Sequence, residues 1–74
     1  MTTFVEPRRQ LDDPATIYAL LDEQMERVEF YSASMRAFCG VGDIAGVRYS
    51  FSKMLAHIRM AASLRDDLPK EAGQ

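Results

Sequence analysis

Apolar side chains recur every three or four residues along the first half of the chain, a spacing that keeps one face of an α-helix hydrophobic. The series begins after Asp13 and Pro14 and ends at the Gly-Val-Gly segment 40–42. Aspartate accepts hydrogen bonds from the free amides at a helix start, and proline is tolerated at the first helical position. Glycine adopts the left-handed backbone that ends helices. The pattern therefore predicts a first helix over about residues 14–39.

A second series with the same spacing starts at Ile44, directly after Asp43 as the predicted N-cap. Aspartates 66 and 67 suit the negative end of a helix dipole poorly, and Pro69 prevents extension, so a second helix is predicted over about residues 44–66. A connection this short makes the helices antiparallel neighbours, and Gly46 lets them approach closely. The expected fold class is all-α, a two-helix antiparallel hairpin over residues 13–68 between an extended arm (1–12) and a disordered tail (69–74).

The apolar arc of the first helix is wider than one neighbouring helix covers. A chain of 74 residues also buries little surface by itself. Both points predict a homodimer that forms a four-helix bundle. The residues predicted to form the core or the dimer interface are Ile17, Leu21, Met25, Val28, Tyr31, Met35, Phe38, Ile44, Val47, Phe51, Met54, Leu55, Ile58 and Ala62.

A second helical row runs along the back of the second helix, roughly opposite Phe51 and Ile58. Apolar groups exposed there indicate an interaction site, where tyrosine serves as an anchor and methionine as an adaptable filler. The same row could instead form the dimer interface, and the sequence leaves these two alternatives open. The predicted partner-binding residues are Tyr49, Lys53, Ala56, His57, Met60 and Leu64.

The two predicted helices differ in charge. Residues 14–39 carry four acidic and two basic side chains, whereas residues 44–65 carry four basic and no acidic ones. Opposite charges facing each other favour this pairing of helices over wrong ones. The expected pairs are Glu26 or Glu29 with Lys53, and Asp22 or Glu23 with Arg59.

Catalytic, cofactor and metal sites are not predicted. One cysteine and one histidine exclude an internal disulfide and leave a four-ligand zinc site incomplete. No acid or nucleophile accompanies His57 at helical spacing, so it is expected at the surface or in an interface, and Cys39 is expected to be a small buried hydrophobe. The sequence contains no phosphate-binding, dinucleotide-binding, paired-cysteine or calcium-binding motif. An enzyme would require Cys39 or His57, so a non-enzymatic protein is expected.

The overall charge limits the class of partner. A net charge of −2 and a pI near 5.2 disfavour general affinity for nucleic acid or anionic membranes. The sequence has no apolar run near the ~20 residues of a membrane span, and its first ten residues do not resemble a signal peptide, so a cytoplasmic location is expected.

The function expected from these patterns is that of a small protein-binding module. It would act as an adaptor or an anti-activator type of inhibitor of a larger regulator or enzyme, as small bacterial and phage proteins do. Its expected partners are a second copy of itself and an unidentified protein. One alternative is a small DNA-binding transcriptional regulator that uses the basic second helix, although a helix-turn-helix normally needs a third helix. Another is a structural or chaperone-like helical subunit of a larger assembly.

Overall fold

A computed structural model describes residues 13–69, which form two α-helices packed against each other. Helix α1 spans Pro14–Val41, two residues beyond its predicted end, and helix α2 spans Ile44–Asp66, the bounds that the sequence predicts. The all-α hairpin is therefore confirmed. The arm predicted for residues 1–12, and the predicted tail apart from Pro69, lie outside the described residues.

Both helices begin at an aspartate that caps their free amides. The Oδ1 atom of Asp13 accepts a hydrogen bond from the amide of Ala15 at 3.1 Å, and its Oδ2 atom accepts one from the hydroxyl of Thr16 at 3.2 Å. Asp43 likewise accepts a bond from the amide of Gly46 at 2.9 Å. A lost cap of this kind costs about 1 kcal/mol, so these two residues fix where the helices start.

The turn between the helices is set by Gly42, whose φ of 71° and ψ of 30° lie in the left-handed region. Its amide donates to the carbonyl of Cys39 at 3.2 Å, and the amide of Asp43 donates to the carbonyl of Phe38 at 2.9 Å. This pair of bonds is the Schellman arrangement, which satisfies the last carbonyls of a helix. Because Asp43 then caps α2 at once, the chain reverses within two residues.

Gly46 permits the close approach that the sequence predicts near the turn. A methyl group added at this position would lie less than 3.0 Å from carbon atoms of the Phe38 ring. Any larger residue there would push the helices apart.

Each helix turns rows of residues seven apart toward the other helix, the repeat of coiled-coil packing. The rows are Ile17, Gln24, Tyr31 and Phe38 on α1, with Val47, Met54 and Ala61 beside Ser50, His57 and Leu64 on α2. The buried apolar residues, Ile17, Ala61 and Leu64, lie at the end away from the turn. Ile17 has no exposed surface and is the centre of this small core.

The predicted ion pairs across the hairpin are not formed. Within residues 13–69 the ion pairs are Arg27 with Glu23, at 2.9 Å and one turn apart on α1, and Arg65 with Asp66 at 3.0 Å. This prediction was wrong because an exposed side chain on a helix reaches a partner one turn away more easily than one on the neighbouring helix.

Candidate protein-interaction surfaces

Polar side chains lie between the helices along the hairpin, and Gln24 with His57 forms a polar layer near its middle. Gln24 and Ser50 are 9% and 1% exposed, and His57 is half-buried. His57 Nδ1 lies 2.7 Å from Gln24 Oε1. Because an amide oxygen only accepts hydrogen bonds, Nδ1 donates in this pair. The Ser50 hydroxyl has no hydrogen-bond partner.

The imidazole of His57 is also stacked on Tyr31, with ring centroids 5.8 Å apart and ring planes 14° from parallel. An amide on one side and an aromatic ring on another hold the histidine in place. These contacts serve packing between the helices, and neither supplies the carboxylate or nucleophile that a catalytic histidine works with.

A continuous apolar surface, which we call the Phe51 face, runs along one side of the hairpin. Its members are 41–68% exposed, although they are large and apolar or aromatic. They are Tyr18 and Met25 on α1 with Ile44, Phe51 and Ile58 on α2. The half-buried side chains of Leu21, Val28, Met35 and Leu55 extend the apolar surface between them.

The members of the Phe51 face come from both helices and lie on the same side of the hairpin for a geometric reason. Met25 directly follows the inward-facing Gln24, and Phe51 directly follows the inward-facing Ser50. Successive residues turn by about 100° around a helix axis, in opposite senses when antiparallel helices are viewed from one end. The residue after an inward position therefore lies on the same side of the hairpin in both helices, so the rows merge into one surface.

The residues directly before inward positions form the opposite side, which we call the Tyr49 face. It consists of Phe30 on α1 with Tyr49, Lys53 and Met60 on α2, and the ring of the inward-facing Tyr31 borders it. Tyr31 meets Phe30 edge-to-face at a centroid distance of 5.1 Å and Tyr49 at 6.3 Å. The ammonium group of Lys53 lies 5.7 Å from the centre of the Tyr49 ring. Aromatic rings on this side therefore contact each other and a cation across the two helices.

Two hollows on the described part of the hairpin surface are open to solvent. One of about 280 Å³ is lined by Glu26, Arg27, Phe30 and Tyr31 beside the Tyr49 face. Another of about 220 Å³ includes Ile44 and Arg48 beside the turn. Sites for small molecules are usually enclosed and about 300–1,000 Å³ in volume, so these hollows suit contacts with a protein surface better.

The structure divides the predicted partner-binding row. Tyr49, Lys53, Ala56 and Met60 are exposed, as a partner-binding surface requires. Leu64, however, is 9% exposed in the core beside α1, and His57 bonds to Gln24 between the helices. The placement of Leu64 on an outer row is therefore corrected, because each step of four residues advances the row by about 40° toward the other helix.

The residues predicted for the core or dimer interface also separate into two groups. Ile17 is buried, and the half-buried ones lie either between the helices or on the Phe51 face. The exposed ones are Met25, Ile44, Phe51 and Ile58, which belong to the Phe51 face. Sequence reasoning missed the buried Gln24 and Ser50, although the seven-residue spacing from Ile17 to Gln24 to Tyr31 marks an inward row.

The expected buried position of Cys39 is wrong, since the residue is exposed near the end of α1. Within the described residues, no group of three or more histidine, cysteine, aspartate or glutamate side chains is placed to hold a metal ion. Neither helix in this part of the chain is long and apolar enough to cross a lipid bilayer.

Comparison with protein-family models finds none that matches the chain, and searches of curated proteins and of solved structures find no significant match to it.

Proposed function

We propose that the protein is a non-catalytic protein-interaction module that works as a homodimeric four-helix bundle. The observation that carries this proposal is the Phe51 face, which presents large apolar side chains from both helices. Contiguous apolar surface of this kind is costly in water and is typical of surfaces that meet another protein. A second copy of the chain offers an identical face, and two-fold pairing is the commonest way to cover one.

The dimer leaves the Tyr49 face outward, and we propose that this face binds a larger regulator or enzyme. It combines exposed aromatic groups with methionine and a lysine, a composition common among residues that dominate binding energies. In this role the protein acts as an adaptor or as an anti-activator type of inhibitor, by occupying a surface that its partner uses elsewhere.

Sedimentation equilibrium at micromolar concentrations tests the dimer. Wild type is expected to sediment as a dimer, and Phe51→Glu as a monomer, with a dissociation constant raised at least about 100-fold because an uncompensated charge in an apolar interface costs about 3–5 kcal/mol. Tyr49→Glu is the matched control, since Tyr49 is 56% exposed and Phe51 48% exposed on opposite sides of the same helix. A folded wild-type monomer contradicts the proposal, as does equal weakening by both variants.

Affinity capture from native cells with the same proteins as baits tests the role of the Tyr49 face. A protein that wild type retains and Tyr49→Glu loses, identified by mass spectrometry and then rebound in purified form, is the expected result. A partner that is retained equally by Tyr49→Glu and by Met60→Glu contradicts the assignment of this face.

The alternative function, DNA binding, is supported by exposed basic side chains on α2. Arg48, Lys53 and Arg59 are exposed and take no part in the ion pairs of residues 13–69. They do not form one basic surface, because Lys53 lies on the Tyr49 face, whereas Arg48 and Arg59 lie along the outer edge of the Phe51 face. An affinity for DNA that falls steeply as salt rises, and that is lost when the three are neutralised, would favour this alternative over an apolar protein interface.

A further inference from the structure

We infer that two copies pair about a two-fold axis parallel to the helices, so that α1 of each copy lies antiparallel against α2 of the other. The inference rests on the proposed dimer through the Phe51 face and adds which helices meet there. One other simple pairing makes a four-helix bundle from these faces. In this crossed pairing the two-fold axis runs across the helices and places α1 against α1 and α2 against α2.

The charges of the two helices favour the pairing of α1 with α2. Helix α1 carries four acidic and two basic residues, a net charge of −2, whereas α2 through Asp66 carries four basic and one acidic residue, a net charge of +3. Pairing unlike helices therefore sets opposite net charges against each other. Such complementarity fixes the orientation of partners more than it raises their affinity.

Individual charged residues border the Phe51 face and show the same preference. Asp22 and Glu29 are exposed along its α1 edge, and Arg48 and Arg59 are exposed along its α2 edge. All four stand outside the ion pairs that the hairpin forms within residues 13–69.

Heights along the hairpin determine which of these charges would meet. Gln24 lies level with His57, and Phe38 lies level with Gly46. Two residues at the same height on α1 and α2 therefore have sequence numbers that add up to about 81–84. A two-fold axis parallel to the helices preserves height. The partner's copy of Asp22 then lies beside Arg59, and its copy of Glu29 lies about one to two turns from Arg48.

The opposite pairing brings like charges together. Glu29 stands near the middle of α1 and would face its own symmetry copy, while Arg48 would lie close to the copy of Arg59. Arg36 is the exception, because it would meet Asp22 in that pairing and Arg48 in the inferred one. The balance still favours α1 against α2. In that pairing Asp22 and Glu29 both attract arginines of the partner and one pair of arginines repels, whereas the crossed pairing has two repulsive pairs and one attractive pair.

The single cysteine of the chain allows a direct test by pulsed electron paramagnetic resonance. Cys39 is exposed beside the turn, so a nitroxide label can be attached to the native protein. With parallel symmetry both turns lie at one end of the bundle, and the two labelled helices are about 11–14 Å apart, the diagonal of helices packed 8–10 Å apart. With the crossed pairing they are more than about 30 Å apart along the axis, since each helix residue adds about 1.5 Å.

A distance distribution centred below about 25 Å is expected, which allows for the length of the label. A distribution centred at any longer distance, in a sample that sediments as a dimer, overturns the inference and leaves the proposed function standing. A labelled protein that shows no dipolar coupling because wild type is monomeric refutes the proposed function itself. If the label at Cys39 alone disrupts the dimer, Ala37→Cys in a Cys39→Ser background moves it to an exposed position off the Phe51 face and decides between the two distances.

Discussion

The two faces of the hairpin expose similar fractions of large side chains but differ in what surrounds them. On the Tyr49 face the rings of Phe30, Tyr31 and Tyr49 contact each other, and Lys53 lies over the last of them. On the Phe51 face, Met25 and Ile58 are also nearly half exposed, and most members of this surface are aliphatic.

This difference teaches that exposure alone does not identify an interface. An exposed aromatic ring that already has ring and cation partners has gained part of the energy available to it. Exposed aliphatic groups gain theirs only by leaving water. Substitutions in the core and on each face separate these contributions, and the core has the largest expected effect.

Truncating the core should affect the hairpin at every protein concentration, whereas truncating the Phe51 face should not. Ile17→Ala is expected to lower the free energy of unfolding by about 2–5 kcal/mol, because it leaves a cavity in the only fully buried apolar position described. Its neighbour Tyr18→Ala is the control and should act only through association, so that its effect disappears on dilution. Urea unfolding monitored by circular dichroism at several concentrations measures both. Equal behaviour of the two variants would remove the distinction between core and face.

Widening the gap between the helices should disturb both faces together. Gly46→Ala is expected to cost about 1–3 kcal/mol of stability, because the added methyl overlaps the Phe38 ring. Gly40→Ala has no neighbouring atom within 4 Å and should stabilise α1 by up to about 1 kcal/mol through helix propensity. Thermal unfolding of both variants checks the signs, and a stabilising Gly46→Ala would contradict the close approach.

The polar layer should contribute to the hairpin without contributing to dimer formation. A double-mutant cycle of Gln24→Ala and His57→Ala is expected to give a coupling energy of about 0.5–1.5 kcal/mol, the usual net worth of a hydrogen bond. The measurement is the free energy of unfolding of four proteins. Their dimer dissociation constants should agree closely, because both side chains point between the helices. A coupling near zero would show that this bond adds no stability.

The smallest effect is expected on the Tyr49 face. Lys53→Met keeps the length of the side chain and removes the charge over Tyr49, which should cost about 0.5–1 kcal/mol of stability. Lys53→Arg, which keeps a cation at the same position, is the control and should change stability less. An identical response of the two variants to urea would assign the cation no role in this face.

Much of the fold follows from local signals in the sequence. Asp13 and Asp43 cap helices because of short-range hydrogen bonds, and Gly42 ends α1 because of its backbone freedom, so these predictions need no tertiary information. Gly46 is the one long-range contact that could be anticipated, since a short turn forces nearby residues of the two helices together.

Other features depend on the other helix and were missed. Gln24 and Ser50 are polar, so a search for apolar spacing passes over them even though they stand at inward positions. The row from Tyr49 to Leu64, in steps of four, three, four and four residues, predicts Leu64 at the outer surface, but its last two steps turn by about 80° into the interface. The side on which each row lies, and hence the Phe51 face, became clear only once the inward residues of both helices were known.

The buried hydroxyl of Ser50 has a consequence for engineering. A side chain that is 1% exposed and lacks a hydrogen-bond partner forfeits the solvation it would have in water, and serine is also a weaker helix former than alanine. The substitution Ser50→Ala, which removes only this hydroxyl oxygen, would raise the melting temperature with no change to either outer surface. The natural protein is therefore less thermostable than its fold allows, and a single substitution would give a more stable variant.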